Sequence, residues 1–135
     1  MRVLLIDDNL TDRKVMARIL NGLGHEVLQS RNGLDALEQL ESQQVDAVVL
    51  DLLMPVLNGL ETMEQIHKCQ ATRSLPVIVV SGAGPELAVE CLEAGATAYL
   101  SKPCSPNQLA SKLSWAGRST GTLPRQAGTR TSGQT

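Results

Sequence analysis

The feature that most restricts this chain is an alternation. Short apolar runs take turns with longer segments of helical periodicity. The runs are Val3-Leu4-Leu5-Ile6, Val27-Leu28, Val45-Asp46-Ala47-Val48-Val49-Leu50, Val77-Ile78-Val79-Val80 and Ala98-Tyr99-Leu100. A strand with one wet face alternates apolar with polar residues. The first, third and fourth runs are β-branched and nearly unbroken, so both their faces are expected to be covered, as in a parallel sheet between helix layers.

The intervening segments carry apolar residues at helical spacing. Segment 9–21 has Leu10, Val15, Met16, Ile19 and Leu20, with Asn9 or Thr11 placed to cap it and Gly22 and Gly24 placed to stop it. Segment 32–43 repeats Leu34, Leu37 and Leu40, and segment 58–69 aligns Leu60, Met63 and Ile66. Segment 85–94 opens on Pro85, which suits a first helical turn, and stops before Gly95. There Ala88, Cys91 and Leu92 are expected to face the core, with Leu87 and Val89 off that face. Segment 106–116 is the last; its Trp115 either packs inside or marks an interface. Five β-α units in succession predict an α/β fold, (βα)5, with a doubly wound parallel sheet, right-handed crossovers and helices on both faces.

Composition narrows the function. At 135 residues one domain is expected. No apolar run approaches the ~20 residues of a membrane span, and Met1-Arg2-Val3-Leu4-Leu5-Ile6-Asp7-Asp8 meets acid too early for a secretory signal peptide. The net charge is −2, aromatic content is 1% and Phe is absent, which argues against nucleic acid as a ligand of the folded part. All 14 acidic residues fall within 1–116. From Gly117 the chain is rich in Gly, Ser and Thr and carries Arg118, Arg125 and Arg130. The expected organisation is one acidic domain over 1–116 and a disordered basic tail or linker over 117–135. Cys69, Cys91 and Cys104 lack metal-ligand spacing and read as reduced thiols of a cytoplasmic protein. Cys104 follows Lys102-Pro103, so redox sensitivity and simple filler are both open readings there.

Ligands of an open parallel α/β sheet bind at the carboxyl ends of the strands. The residues after the apolar runs therefore matter. Asp7 and Asp8 follow the first run, Asp51 the third, Ser81 the fourth, and Ser101 and Lys102 the fifth. Each Asp alone could be a turn former or a helix cap, with Asp8 a candidate cap for the first helix. Jointly they bring three carboxylates, a hydroxyl and an ammonium to one sheet edge. Carboxylates ~5 Å apart repel by about 3 kcal/mol per pair at an effective dielectric of ~20. A hard divalent cation with oxygen ligands would relieve this, and an open site with room for water suits Mg²⁺. A carboxylate beside Mg²⁺ and Lys can attack phosphorus in line. Asp51 is the best nucleophile candidate because it stands alone, whereas the adjacent Asp7 and Asp8 can share the metal.

These stretches resemble the receiver domains of two-component response regulators. The likeness covers about 1–116 and rests on Leu5-Ile6-Asp7-Asp8-Asn9, Asn32-Gly33-Leu34-Asp35-Ala36-Leu37, Val48-Val49-Leu50-Asp51-Leu52-Leu53-Met54-Pro55, Asn58-Gly59-Leu60, Val77-Ile78-Val79-Val80-Ser81-Gly82 and Ala94-Gly95-Ala96-Thr97-Ala98-Tyr99-Leu100-Ser101-Lys102-Pro103. The resemblance implies a flavodoxin-like fold with strand order 2-1-3-4-5. It implies that Asp51 accepts a phosphoryl group from a sensor histidine kinase or a histidine phosphotransfer protein. Asp8 and Asp51 would bind Mg²⁺ directly with the main-chain carbonyl of Leu53, and Asp7 largely through water; Mn²⁺ is an expected substitute. Ser81 and Lys102 would bind phosphoryl oxygens, Tyr99 would be the aromatic switch, and the Lys102–Pro103 peptide would be cis. The fourth helix, fifth strand and fifth helix would form the readout surface, toward an output protein, a downstream domain or a second copy. Ser81 stands where threonine is more frequent and Gly82 where alanine is usual. Leu53 and Ala83 are apolar where the family's hydrolytic water passes, which leaves phosphoryl lifetime open.

Three readings compete on the sequence alone. One is a phosphorylatable switch that is not a turnover enzyme. Another is a receiver-like interaction module that is never phosphorylated. The third is a phosphatase with an Asp nucleophile, against which Asp51-Leu52-Leu53 offers no second acid. The first strand begins right after Met1, as at a genuine N-terminus. Both a stand-alone receiver and the front part of a longer regulator fit.

Overall fold

The structure is a computed structural model, and it describes residues 1–51, 58–82 and 85–120, the last four by their backbone only. Among the described residues there are five strands: β1 (Arg2–Ile6), β2 (Glu26–Ser30), β3 (Ala47–Leu50), β4 (Val77–Ser81) and β5 (Ala98–Ser101). They alternate with α1 (Leu10–Gly22), α2 (Gly33–Ser42), α3 (Gly59–Lys68), α4 (Ala88–Glu93) and α5 (Pro106–Thr120). All pairings are parallel and the order is β2-β1-β3-β4-β5, the flavodoxin-like order expected above.

The unbroken runs are explained by two cores. Val3 and Leu5 of β1, Val49 of β3, and Ile78 and Val80 of β4 join Leu20 of α1 and Leu109 and Leu113 of α5 on one face. Their strand neighbours Leu4, Ile6, Val48, Leu50 and Val79 join Met63 and Ile66 of α3 and Cys91 of α4 on the other. Side chains of a strand alternate between faces. Since both faces are covered by helices, every position must be apolar.

Helix starts follow side-chain capping. Asn9 accepts from the Asp12 amide at 2.8 Å and Asn32 from the Asp35 amide at 2.8 Å. Asn58 and Glu61 form a reciprocal capping box, and Ser105 and Gln108 pair in the same reciprocal way. Asn9, rather than Thr11 or Asp8, therefore caps α1.

Several helix faces depart from the periodicity. Leu10, Val15 and Leu34 fit the helical spacing and Leu92 the expected core face, but all four are roughly half exposed. Ala17 takes a core place on α1 instead, and Leu87 packs against the core although it was placed off the buried face. The cause lies at Pro85–Leu87, which form a 3₁₀ turn, so α4 begins only at Ala88 and its stripe is rotated from that of one continuous helix. Val89 and Trp115 are exposed, so Trp115 does not pack inside. The last helix runs to Thr120, through the first four residues of the expected tail; residues 121–135, the rest of that tail, lie outside the described residues. Among the described residues, no helix is long and apolar enough to cross a membrane.

Candidate functional site

The site is built where the strand order reverses. β1 and β3 are sheet neighbours, but their connections leave in opposite directions, β1 toward α1 on one face and β3 toward α3 on the other. Such a divergence opens a crevice at the carboxyl ends. Asp7 and Asp8 follow β1, and Asp51 follows β3.

Backbone bonds hold these residues to the sheet after the strands formally end. The Asp7 amide donates to the Ser30 carbonyl at 3.0 Å, the Asp51 amide to the Ile6 carbonyl at 3.0 Å, and the Lys102 amide to the Ser81 carbonyl at 2.9 Å. Each site residue thus inherits the rigidity of the β ladder. The Asp7 carboxylate is further oriented by the Asn9 amide, which donates to its Oδ1 at 3.0 Å.

Carboxylate oxygens of Asp7, Asp8 and Asp51 lie within 4.8 Å of one another. Asp7 is buried, Asp51 half-buried and Asp8 exposed, so the group opens to solvent on one side. The Lys102 ammonium sits beside it, 3.5 Å from Asp7 Oδ2 and 3.7 Å from Asp51 Oδ2. Burial alone would push the Lys102 pKa down; attraction by Asp51, then Asp7 and Asp12, outweighs it and raises it above the ordinary lysine value. Among the described residues the donor set is oxygen only, and its charge is not balanced by one ammonium. It fits a hard divalent cation such as Mg²⁺.

Ser81 is fully buried at the end of β4, in register with Ser101 of β5. Tyr99 is half-buried against the core that holds α3 and α4. It also borders a groove of about 420 Å³ with Leu92, Lys112 and Trp115. The Lys102–Pro103 peptide is cis. The Leu53 carbonyl and Ala83 lie outside the described residues.

Two residues at the site escaped the sequence reading. Asp12, in the first turn of α1, places Oδ2 3.4 Å from Lys102 Nζ. Arg13 donates from Nη1 to the Asp7 carbonyl at 2.8 Å and from Nε to Gln29 Oε1 at 3.3 Å. The available signal was that both fall in the first helical turn after the Asp pair. A lone charged residue there reads first as helix-dipole or solvent chemistry. A cleft of about 400 Å³ adjoins this edge, lined by Asp7, Asp12, Met16, Ile19, Lys102 and Cys104 among others.

A doubly wound sheet with three carboxylates and a lysine at its reversal point defines an α/β protein with an acidic strand-end cluster. The response regulator receiver domain pattern matches residues 3–114, and the chain belongs to that family. It is 34% identical over 109 residues to protein PilH of Pseudomonas aeruginosa, covering 80% of this chain and 90% of that protein. It is 33% identical over 116 residues to a chemotaxis protein CheY homologue of Campylobacter jejuni, covering 84% and 89%. With the sensory/regulatory protein RpfC of Xanthomonas campestris it shares 40% identity over 116 residues, but the chain spans only 15% of that protein's length. Among solved structures, it resembles the receiver domain of a Pseudomonas aeruginosa sensor histidine kinase with a magnesium ion coordinated in the active site cleft. That likeness has TM-score 0.79 and 31% identity, and covers 86% of this chain and 97% of the other.

Proposed function

We propose that this receiver domain is a phosphorylation switch with Asp51 as its phosphoacceptor. The observation that carries the reading is the gathering of Asp7, Asp8 and Asp51 within 4.8 Å, with Lys102 3.7 Å from Asp51. The donor would be a phosphohistidine of a sensor histidine kinase or a phosphotransfer protein. An Asp51 oxygen attacks phosphorus, the P–N bond breaks, and its electron pair returns to the imidazole. Lys102 and the Ser81 hydroxyl take up phosphoryl oxygens. Asp8 and Asp51 would hold Mg²⁺ directly, with the Leu53 carbonyl, and Asp7 through water; Mn²⁺, another oxygen-seeking ion, would substitute. When bound, the cation neutralises charge on the phosphoryl group in transfer. The magnesium in the cleft of a structural neighbour supports this assignment.

The output is a population shift. A phosphoryl group adds about two negative charges, draws Ser81 and Lys102 inward, and lets Tyr99 follow. The surface affected is α4, β5 and α5, where Leu92, Tyr99 and Trp115 line the groove described above. An output protein, a downstream domain or a second copy of this chain would read that surface. The phosphorylated unit is 1–116, acting in the cytoplasm without turnover of a substrate, and 117–135 serves as tail or linker.

Incubation with Mg²⁺ and acetyl phosphate tests the reading. The expected result is stoichiometric labelling that is lost in Asp51→Asn. No labelling would favour the unphosphorylated interaction module, and sustained phosphate release over many turnovers would favour a phosphatase. Partner capture with and without beryllofluoride, an acyl-phosphate mimic, tests the output. Identical partners in both arms would contradict a switch.

A further inference from the structure

Asp12 is a carboxylate at the site to which phosphoryl transfer assigns no task. Its Oδ2 stands 3.4 Å from Lys102 Nζ, against 3.5 Å for Asp7 and 3.7 Å for Asp51. Strong ammonium–carboxylate hydrogen bonds close to ~2.7–2.9 Å. All three contacts are longer: the one to Asp12 is a long hydrogen bond, and those to Asp7 and Asp51 are ion pairs.

The three pulls differ in origin. Asp7 and Asp51 belong to strand ends and to the group gathered within 4.8 Å, which leaves Asp12 outside. Asp12 belongs to α1, where its amide is fixed on Asn9 Oδ1 at 2.8 Å. Its pull is therefore toward the helix. The Asp12 side chain is 52% exposed, against 12% for Asp51. Water can replace Lys102 on Asp12 at little cost, so the contact is strong enough to bias the lysine and weak enough to release it.

We propose that Asp12 is a positioning residue that holds Lys102 back from Asp51 in the resting chain and gives it up when Asp51 carries phosphorus. This inference rests on the phosphoacceptor reading and adds a counterweight to it. The Lys102 side chain then divides its time between α1 and the acceptor, and Asp12 sets the division.

The test is a beryllofluoride titration in Mg²⁺ of the full chain, with Asp12→Asn, Asp12→Glu, Lys102→Met and the double variant. Asp12→Asn is expected to tighten binding about two- to fivefold, the range of a partly exposed ion pair. Asp12→Glu is expected to bind as the parent does. In the Lys102→Met background, with ligand raised to compensate for weaker binding, Asp12→Asn is expected to change nothing. A second readout needs no metal: in a crystal structure of metal-free Asp12→Asn, Lys102 Nζ lies closer to Asp51 than in the metal-free parent. Unchanged affinity, an equal shift in the Lys102→Met background, or an unmoved ammonium would each overturn the inference. A parent chain that takes neither beryllofluoride nor acetyl phosphate sinks the phosphoacceptor reading and this one together. A chain that is labelled at Asp51 but indifferent to Asp12→Asn loses only the counterweight.

Discussion

The Asp7 carboxylate, with a side chain only 5% exposed, lies 3.5 Å from the Lys102 ammonium. Its other oxygen is fixed by the Asn9 amide at 3.0 Å. Pairing and hydrogen bonding together offset the cost of burying this carboxylate. Yet Lys102 also faces Asp12 and Asp51, so one positive charge is spread over several negative ones.

Residual repulsion at the sheet edge gives the first prediction. Without divalent ions, Asp51→Asn should stabilise the fold by about 1 kcal/mol, since it removes repulsion from Asp7 and Asp8 and loses a longer Lys102 contact. Added Mg²⁺ should raise the melting temperature of the parent through mass action and do so much less in the variant. Thermal melts in chelator and in magnesium check both. An Asp51→Asn chain less stable than the parent in chelator would contradict the account.

The Lys102 ion pairs predict an alkaline dependence. Burial lowers its pKa, but Asp51, Asp7 and Asp12 raise it further, so the folded chain holds the proton more tightly than the unfolded chain. The stabilisation is complete below the unfolded value of ~10.4 and is lost as pH climbs through the higher folded value. Urea midpoints of the parent and Lys102→Met should differ by a constant amount near neutrality and converge above pH ~10.4. Convergence already at pH ~8 would refute the sign.

Two glycines should respond oppositely to alanine. Gly95 has φ +116°, and a Cβ there would meet His67 Nδ1 at 3.0 Å, while His67 Nε2 is engaged with the Leu75 carbonyl at 3.0 Å. Gly95→Ala should cost about 1–3 kcal/mol. Gly22, at the end of α1, has nothing within 4 Å of a built Cβ and no positive φ. Gly22→Ala should stabilise by about 0.4–1 kcal/mol by restricting the unfolded chain. Chemical denaturation of both variants is the measurement.

The three thiols should label in a fixed order. Cys69 is exposed, Cys104 half-buried and Cys91 buried. Burial pushes the Cys104 thiol up against the opposing effects of a backbone hydrogen bond and Lys102, and burial with Glu90 pushes Cys91 up. Iodoacetamide followed by peptide mass spectrometry should modify Cys69 first, Cys104 more slowly, and Cys91 only on unfolding. Cys104 reacting as fast as Cys69 at neutral pH would argue for an activated thiolate beside Lys102.

The strands, their parallel pairing and the carboxylates at their ends were legible along the chain. An unbroken run such as Val77–Val80 can only be buried on both faces, and the residue after it must emerge at one sheet edge. These are one-dimensional facts. Charge and position already singled out Asp51 as the nucleophile candidate beside Lys102; the resemblance added the phosphohistidine donor and the switch role expected of Tyr99.

The helix faces were decided only by packing. Leu10, Val15, Leu34 and Leu92 satisfy a helical stripe and still lie half exposed, because each helix touches the twisted sheet along a strip narrower than its apolar arc. Leu87 turned inward because a 3₁₀ turn precedes α4. Asp12 and Arg13 acquired partners 90 residues away or on the carbonyl of Asp7 through the seating of α1 beside β5's exit, and no local pattern encodes such a meeting. Periodicity records what a segment can bury; only the three-dimensional arrangement sets which neighbour is there to bury it.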